Sequence, residues 1–158
     1  MGMTVDLQTL ERRLTGIEDR EAIRELIASY GPLADSGDAE GVASLWREDG
    51  SYEVHGFGTA SGRDALAGFI TSESHRGLMA DGCAHLLGPV TIALNGDTAT
   101  ACGHSVVFRH AGDGFEAYRV SANRWTLAKA DGTWRVTHRE NALLDGDAAA
   151  RALLVGRR

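Results

Sequence analysis

The sequence contains little that signals metal, redox or disulfide chemistry. Its two cysteines, Cys83 and Cys102, lie far apart and form no CxxC motif. A secreted disulfide scaffold needs several paired cysteines, and a structural zinc site needs closely spaced Cys or His pairs. No P-loop, GxGxxG or HExxH pattern occurs either. We therefore expect no nucleotide, flavin, metal or other cofactor.

Clustered positive charge and long apolar runs are also missing. The 158 residues carry a formal net charge of -6, and the lysines and arginines do not form a basic run. Phosphate backbones and anionic membranes attract basic patches, and a membrane span needs roughly 20 apolar residues in succession. The N-terminus also lacks the apolar core of a signal peptide. We expect no nucleic-acid partner, no membrane association and a cytoplasmic location.

The length suits one globular domain over residues 1–158, with residues 1–12 and 143–158 as peripheral segments. Apolar residues recur at helical spacing over residues 17–34 and predict a first helix. Pro32 cannot donate a hydrogen bond to the carbonyl group of Ala28. The helix is therefore expected to kink or loosen just before Asp35.

Two further helices are expected before the sheet. The second follows the "SGD" at residues 36–38 and includes Trp46, while the third is capped by Ser61. A strand and a glycine-rich turn are expected between them. From residue 84 the alternating pattern and the turns "NGD", "AGDG" and "ADG" predict antiparallel strands. Their expected ranges are 84–94, 98–110, 115–129 and 133–142, and the order of elements predicts an α+β domain.

The turns also predict which strand residues share a face. In an antiparallel pair closed by a two-residue turn, the numbers of opposed residues have a constant sum, and opposed side chains lie on one face. All three turns give an odd sum, unless a β-bulge intervenes. The residues then expected on the inner face are His85, His104, Val106, Phe108, His110, Ser121, Asn123, Trp125, Leu127, Trp134, Val136 and His138. The opposite face, which includes Arg124, Arg135 and Arg139, is predicted to be solvated.

Several polar side chains thus converge on the predicted inner face. A single buried histidine, serine or asparagine is more often a satisfied core group than a functional one, but convergence favours a binding site. His104 and His110 are separated by about 20 Å of strand and cannot bind one metal ion. His85 and His110 form the better functional pair. Asp35, taken alone, indicates a surface acid or a cap for the next helix.

Two stretches then resemble a known family. They are "IEDREAIRELIASYGPLADSGDAEGVASLWRED" near the start and "DGTWRVTHRE" near the end. Together with the order of helices before strands, they resemble the SnoaL-like branch of the NTF2-like superfamily over about residues 8–142. The resemblance implies an NTF2-like cone, in which three N-terminal helices pack into a strongly curved, mainly antiparallel sheet.

Within that branch the sequence most resembles scytalone dehydratase. The matching features are "AHLLG" around His85, a histidine at His110 and "SAN" at residues 121–123, which imply that Asp35, His85, His110, Ser121 and Asn123 are pocket residues. The spacing of Tyr30 and Asp35 is similar to that in bile acid 7α-dehydratase, and the Asp-His pair resembles that of hexachlorocyclohexane dehydrochlorinase. Ala34 and Val54 depart from the pattern, since scytalone dehydratase has tyrosines there. Arg139 is no convincing counterpart of the pocket arginine of the bile acid enzyme, so an anionic substrate is not indicated.

The resemblance implies a cofactor-independent lyase that removes water, or HX, from a cyclic polyketide- or steroid-like small molecule. His85 would be the general base, oriented by Asp35, and His110 would protonate the departing hydroxyl group. The donors to developing negative charge would be Tyr30, Ser121 and Asn123. Apolar pocket walls are expected from Trp46, Phe57, Phe69, Phe108 and Trp125.

Other functions remain open on the same residues. A polyketide cyclase or a ketosteroid-type isomerase would also begin with proton abstraction beside a carbonyl group, and the superfamily includes binding or assembly modules without catalysis. Its members associate through the outer face of the sheet. The resemblance therefore implies a homotrimer or homodimer, with Tyr118, Val120 and Ala122 in the interface.

Overall fold

A long helix, α1, begins the fold in the computed structural model, which describes residues 6–155. Helix α1 spans Leu7–Asp35, and the Asp6 side chain caps its first turn by accepting a hydrogen bond from the backbone N–H of Gln8. It contains the predicted range 17–34 and continues through Pro32 to include Asp35. The predicted peripheral segments were residues 1–12 and 143–158. Of these, residues 1–5 and 156–158 lie outside the described residues.

Four shorter helices follow: α2 at Ala39–Ser44, α3 at Arg63–Thr71, α4 at Glu73–Asp81 and α5 at Ala148–Ala152. Helix α2 ends before Trp46, which instead begins the first strand. Gly62, not Ser61, precedes α3 as its N-terminal cap residue. Helix α4 was not predicted, and Ser72 caps its N-terminus by accepting a hydrogen bond from the backbone N–H of His75. The additional helix matters because it brings His75 beside the predicted site.

Seven strands form one sheet: β1 Trp46–Val54, β2 Gly58–Ser61, β3 Cys83–Leu87, β4 Thr91–Asn95, β5 Thr98–Ala111, β6 Gly114–Ala130 and β7 Thr133–Leu143. The strand order is β2-β1-β7-β6-β5-β3, and β4 also pairs with β5. Strands β1 and β7 are parallel, and the other pairs are antiparallel. The predicted α+β class is confirmed, and the predicted hairpins of β5, β6 and β7 are present.

Three irregularities in the sheet reverse the predicted faces of several residues. Gly88-Pro89-Val90 divides the predicted first strand into β3 and β4, so that His85 lies opposite Val107. A bulge at Tyr118 shifts the β5–β6 register, and a bulge at Thr137 shifts the β6–β7 register.

The face prediction was therefore wrong for one set of residues: His104, Val106, Phe108, His110 and His138, which alternate onto the outer face, and Arg139, which lies on the inner face. It was right for His85, Ser121, Asn123 and Trp125. The bulge at Thr137 brings Arg139 directly opposite Trp125.

The core lies between α1 and the inner face of the sheet. Trp46, Trp125 and Ile23 are fully buried there, each side chain contributing on the order of 1.5–3 kcal/mol from burial of its apolar surface. Asp19 attaches α1 to the sheet by accepting hydrogen bonds from Lys129 Nζ at 2.8 Å and Trp134 Nε1 at 2.9 Å. These bonds anchor the middle of α1 to β6 and β7.

A second, small apolar cluster lies on the outer face. Ala122 and Ala142 pack there against Ala150 and Leu153 of the C-terminal segment. The predicted exposure of Ala122 to a partner was therefore wrong, because the side chain is fully buried within the chain. Within residues 6–155, no helix combines the length and apolar character needed to cross a membrane.

Candidate active site

The structure brings Asp35 and His85 into direct contact. Asp35 Oδ2 accepts a hydrogen bond from the backbone N–H of His85 at 2.8 Å, and Oδ1 lies 2.6 Å from His85 Nδ1. The two side chains are only 25% and 14% exposed. An ionised carboxylate can only accept, so Nδ1 carries the proton and the neutral ring keeps its lone pair on Nε2. The Asp35 carboxylate thus binds the backbone of β3 at His85 and also sets the tautomer of the His85 ring.

Close packing of α1 on β3 makes this contact possible. Gly31 lies one helical turn before Asp35, and a Cβ atom added there would overlap the carbonyl oxygen of His85. His75 of α4 adds a further contact, with Nε2 2.8 Å from the carbonyl oxygen of Ala34 and its ring 5.5 Å from the His85 ring. Cys83 Sγ lies 3.5 Å from Asp35 Oδ1. The carboxylate therefore sits among two donors from His85 and one thiol.

Burial governs the protonation of this group. Desolvation lowers the pKa of His85, and the hydrogen bond and charge of Asp35 offset only part of that effect. His85 is accordingly neutral at pH 7, which is the state a general base requires. Burial, with the neighbouring Asp35 charge, raises the pKa of the Cys83 thiol to about 11. The thiol is therefore protonated at neutral pH and donates to Asp35.

His85 lines a cavity of about 80 Å³ between α1 and the sheet. The other lining residues include Tyr30, Tyr52, Ser105, Arg119, Arg139 and Asn141. Small-molecule sites commonly measure about 300–1,000 Å³, so a ring-sized ligand requires side chains at the mouth to move. A larger open groove of about 700 Å³ runs beside Arg12 and Lys129. The candidate site is the smaller cavity, because the histidine that Asp35 orients lines it.

Arg139 is the most unusual residue of the cavity wall. It is only 2% exposed, and its Nε and Nη2 atoms donate to Asn123 Oδ1 at 3.0 and 2.7 Å. Its guanidinium carbon lies 4.3, 4.5 and 4.1 Å from the ring centroids of Tyr30, Tyr52 and Trp125. Among the described residues, no carboxylate forms an ion pair with it, and its Nη1 atom has no hydrogen-bond partner. A buried positive charge with a spare donor thus borders the cavity.

A chain of amides connects Arg139 to a second guanidinium group. Asn141 Nδ2 donates to Asn123 Oδ1 at 3.0 Å, and Asn123 Nδ2 donates to Ser105 Oγ at 2.8 Å. Arg119 donates through Nε and Nη2 to Asn141 Oδ1 at 3.3 and 2.9 Å. The Asn123 amide is therefore occupied within the protein, and it holds the Arg139 guanidinium group in place. Burial raises the pKa of Tyr52 to about 12, so its hydroxyl group stays protonated.

Of the other residues predicted to belong to the site, some line the cavity and some lie behind its wall. Tyr30 lines it, while Ser121 is buried with an Oγ atom that contacts no hydrogen-bonding group in residues 6–155. Trp125 supports Arg139, and Trp46 packs against both Trp125 and Tyr30.

The aromatic residues expected in the pocket walls also divide between cavity and surface. Phe69 contacts Tyr52, with ring centroids 5.5 Å apart. Phe57 is 78% exposed, but its ring lies 5.5 Å from Arg119 Cζ at the edge of the cavity. Phe108 lies on the outer face, as described above.

His110 lies apart from this group. It is exposed on the outer face, where its ring packs against Phe115 at 5.2 Å. The predicted pairing of His85 with His110 on one face was wrong, because the break between β3 and β4 reverses the alternation. The cavity residues Tyr52, Ser105, Arg119, Arg139 and Asn141 were missed as site residues. Only the bulge positions would have revealed Arg139, and the turn motifs do not encode them.

Comparisons with known proteins agree with the observed architecture. Residues 15–140 match the family described as SnoaL-like domain. An NTF2-like protein with a cystatin-like fold from Novosphingobium aromaticivorans is 62% identical, with a TM-score of 0.94 over 98% of this chain and 100% of that chain. This likeness confirms the expected NTF2-like cone. Among curated proteins, no sequence matches the chain significantly.

More distant structures share the fold alone. A candidate scytalone dehydratase from Novosphingobium aromaticivorans is 22% identical, with a TM-score of 0.68 over 80% of this chain and 85% of that chain. Aln2 from a Streptomyces species is 19% identical, with a TM-score of 0.71 over 85% and 96% of the two chains.

Proposed function

The chain belongs to the SnoaL-like family, and from this premise we propose that it is a cofactor-independent lyase, a dehydratase in class. Its substrate would be a cyclic polyketide- or steroid-like molecule that loses water, or less readily HX. The observation that carries the proposal is the hydrogen-bonded Asp35–His85 pair beside a cavity that also contains a buried, unpaired guanidinium group.

His85 would begin the reaction as a general base. Its Nε2 atom takes a proton from the carbon next to a substrate carbonyl group, and the electron pair of that C–H bond moves toward the carbonyl oxygen. Asp35 then stabilises the imidazolium ion through Nδ1. As the enolate collapses, the β C–O bond breaks and Nε2 returns the proton to the leaving hydroxyl group. An enone and water are formed, and His85 is again neutral.

Arg139 would stabilise the enolate. Arg139 lines the cavity and has a spare Nη1 donor, and a fixed positive charge in a buried site acts strongly on developing negative charge. Arg119 and the hydroxyl groups of Tyr30 and Tyr52 supply further donors around the same space. Asn123 serves this arrangement indirectly, because it holds Arg139 in place. In this scheme His85, and not His110, protonates the departing hydroxyl group.

Polyketide cyclisation and double-bond isomerisation remain alternatives. Each begins with the same proton transfer to His85, and each needs the same enolate stabilisation. The products distinguish these reactions from dehydration. An isomerisation leaves the mass of the substrate unchanged, whereas a dehydration lowers it by one water. A binding module without catalysis would bind such compounds without converting them.

The test is turnover of a panel of cyclic β-hydroxy ketones, followed by mass spectrometry. We expect loss of water by the wild type and a fall of about 100- to 10,000-fold in kcat/KM for His85→Gln. His104→Gln changes an exposed histidine of the outer face and should retain the wild-type rate. An isomerised product of unchanged mass would favour the isomerase. Tight binding without conversion by wild type and His85→Gln alike would assign the chain to the binding modules.

A further inference from the structure

Three potential metal-binding atoms meet at the Asp35–His85 pair, beside the cavity that His85 lines. Asp35 Oδ1, Cys83 Sγ and His85 Nδ1 all lie within 4.8 Å of one another. Sγ is 3.5 Å and Nδ1 2.6 Å from the carboxylate oxygen. Cys83 and His85 are two residues apart on β3, so their side chains lie on the same face of the strand. Asp35 approaches them from the end of α1. Sequence spacing could not reveal this group, because Asp35 comes from α1 and the other two residues from β3.

The donor set suits a thiophilic divalent cation. Zinc is bound by thiolate at about 2.3 Å and by imidazole nitrogen or carboxylate oxygen at about 2.0–2.2 Å. Around a tetrahedral ion, such ligand atoms lie about 3.3–3.7 Å apart, by the geometry of those bond lengths. The Sγ to Oδ1 distance of 3.5 Å already falls in this range. The Nδ1 to Oδ1 contact would have to open by about 1 Å or less, which a small rotation of either side chain provides.

We propose that Asp35, Cys83 and His85 form a binding site for a thiophilic divalent cation, and that the bound ion switches off the His85 base. Binding at Nδ1 requires that nitrogen to lose its proton. His85 then holds its single proton on Nε2, the nitrogen on the side of the ring away from Asp35. The Cys83 thiol releases its proton to solvent as the sulfur–metal bond forms, so one proton leaves for each ion bound. With Nε2 protonated, no lone pair remains to accept a substrate proton.

The inhibition rests on the proposed function, whereas the binding does not. The competing explanation is that the Cys83 thiol only donates a weak hydrogen bond to Asp35. A metal site requires the sulfur as a ligand, so the two explanations predict different spectra. Cys102 provides an internal control, because this second cysteine is 3% exposed and lies on β5, outside the cluster.

Cadmium is the probe, since a bond between thiolate and Cd²⁺ gives an ultraviolet charge-transfer band. We expect wild type and Cys102→Ala to bind one equivalent and to show the band. Cys83→Ser should lose the band and weaken Cd²⁺ binding by at least about tenfold in equilibrium dialysis. Cys83→Ala repeats the test with a residue that cannot ligate at all. No band in the wild type, or a band that survives in both Cys83 variants, would overturn the proposed site.

The second arm is turnover in the presence of Zn²⁺. Each protein is compared with its own metal-free rate, and zinc should inhibit wild type and Cys102→Ala but not the Cys83 variants. Stoichiometric binding with an increased rate would overturn the inhibitory role. Binding without any measurable turnover under any condition would instead count against the proposed lyase, and it would leave the site itself established.

Discussion

Arg139 holds a charge inside the sheet, and no carboxylate within residues 6–155 forms an ion pair with it. Three aromatic rings surround its guanidinium group, and each such contact contributes on the order of 0.5–2 kcal/mol. The transfer of a charged group from water costs several kcal/mol, so these contacts offset the cost without making Arg139 a strong source of stability. A buried charge that carries this cost and has one donor free is better explained by ligand chemistry than by folding.

Replacement of Arg139 by methionine should therefore separate activity from stability. We expect kcat/KM to fall by about 100- to 1,000-fold, as for loss of one oxyanion donor. The free energy of unfolding should fall by less than about 1 kcal/mol, or rise, because a buried charge is replaced by an apolar chain. Arg135→Met, on the same strand but only half buried, is the matched control and should retain activity. Full activity of Arg139→Met would contradict the proposed role. A large fall in its free energy of unfolding, measured by urea titration, would contradict it as well.

The protonation of His85 can be measured without knowing the substrate. Its pKa is lowered in the folded protein by burial, while Asp35 acts in the opposite direction. NMR titration of the imidazole C–H signals should give a pKa below the usual value of about 6.5 in the wild type. Asp35→Asn should lower it further, because the charge that favours the imidazolium ion is gone. A higher pKa in that variant would show that Asp35 does not act on the ring as the geometry indicates.

The same shift predicts a contribution to stability that depends on pH. Folded His85 binds fewer protons than unfolded His85, so the free energy of unfolding increases with pH through this region. The contribution is present above the unfolded pKa of about 6.5 and is lost as the pH falls through the folded value. Urea unfolding between pH 7 and pH 5 should therefore show a steeper loss for wild type than for His85→Gln. Equal slopes in the two proteins would exclude His85 as the source.

At the scale of the element, the packing of α1 on β3 decides whether the site forms. Gly31→Ala places a methyl group into the carbonyl oxygen of His85, and the backbone must shift to accept it. We expect a loss of about 1–3 kcal/mol in the free energy of unfolding, together with reduced activity. Gly16→Ala, in the same helix but with open space around its Cβ position, should stabilise the protein by up to about 1 kcal/mol. Equal effects of the two substitutions in thermal unfolding would refute the packing argument.

Elements and their faces differ in how well the sequence predicts them. Apolar spacing predicts α1, and the glycine-containing turns predict β5 to β7 closely, because both signals are local. Pairing parity fails at Tyr118 and Thr137, because one extra residue in a strand leaves no local signature and yet reverses every side chain beyond it. The bulge at Thr137 is the reason that the sequence predicts Arg139 on the solvated face, and the bulge at Tyr118 is the reason that it predicts His110 on the inner face with Ser121. Strand parity predicts His85 on the inner face, whereas the role of Asp35 and its pairing with His85 rest on the family resemblance, since no spacing rule relates the end of α1 to β3.

At the scale of the whole molecule, the outer face of the sheet carries an apolar row. Leu86, Val106 and Val120 pair side by side across β3, β5 and β6. Leu86 is 57% and Val120 40% exposed, and Tyr118 lies close by at 54%. Helix α5 covers Ala122 but leaves this row open. Exposed apolar rows on a sheet face favour association, since each buried side chain then loses contact with water.

We expect the protein to be a homodimer or homotrimer that buries this row. Leu86→Lys introduces a charge in its middle, and a buried lysine without a partner would oppose association. Multi-angle light scattering at micromolar concentration should give an oligomer for wild type and a smaller species for Leu86→Lys. Leu14→Lys, which changes a similarly exposed leucine on α1, should keep the wild-type mass. A monomeric wild type would rule out the oligomer, and an oligomer unaffected by Leu86→Lys would place the interface elsewhere on the surface.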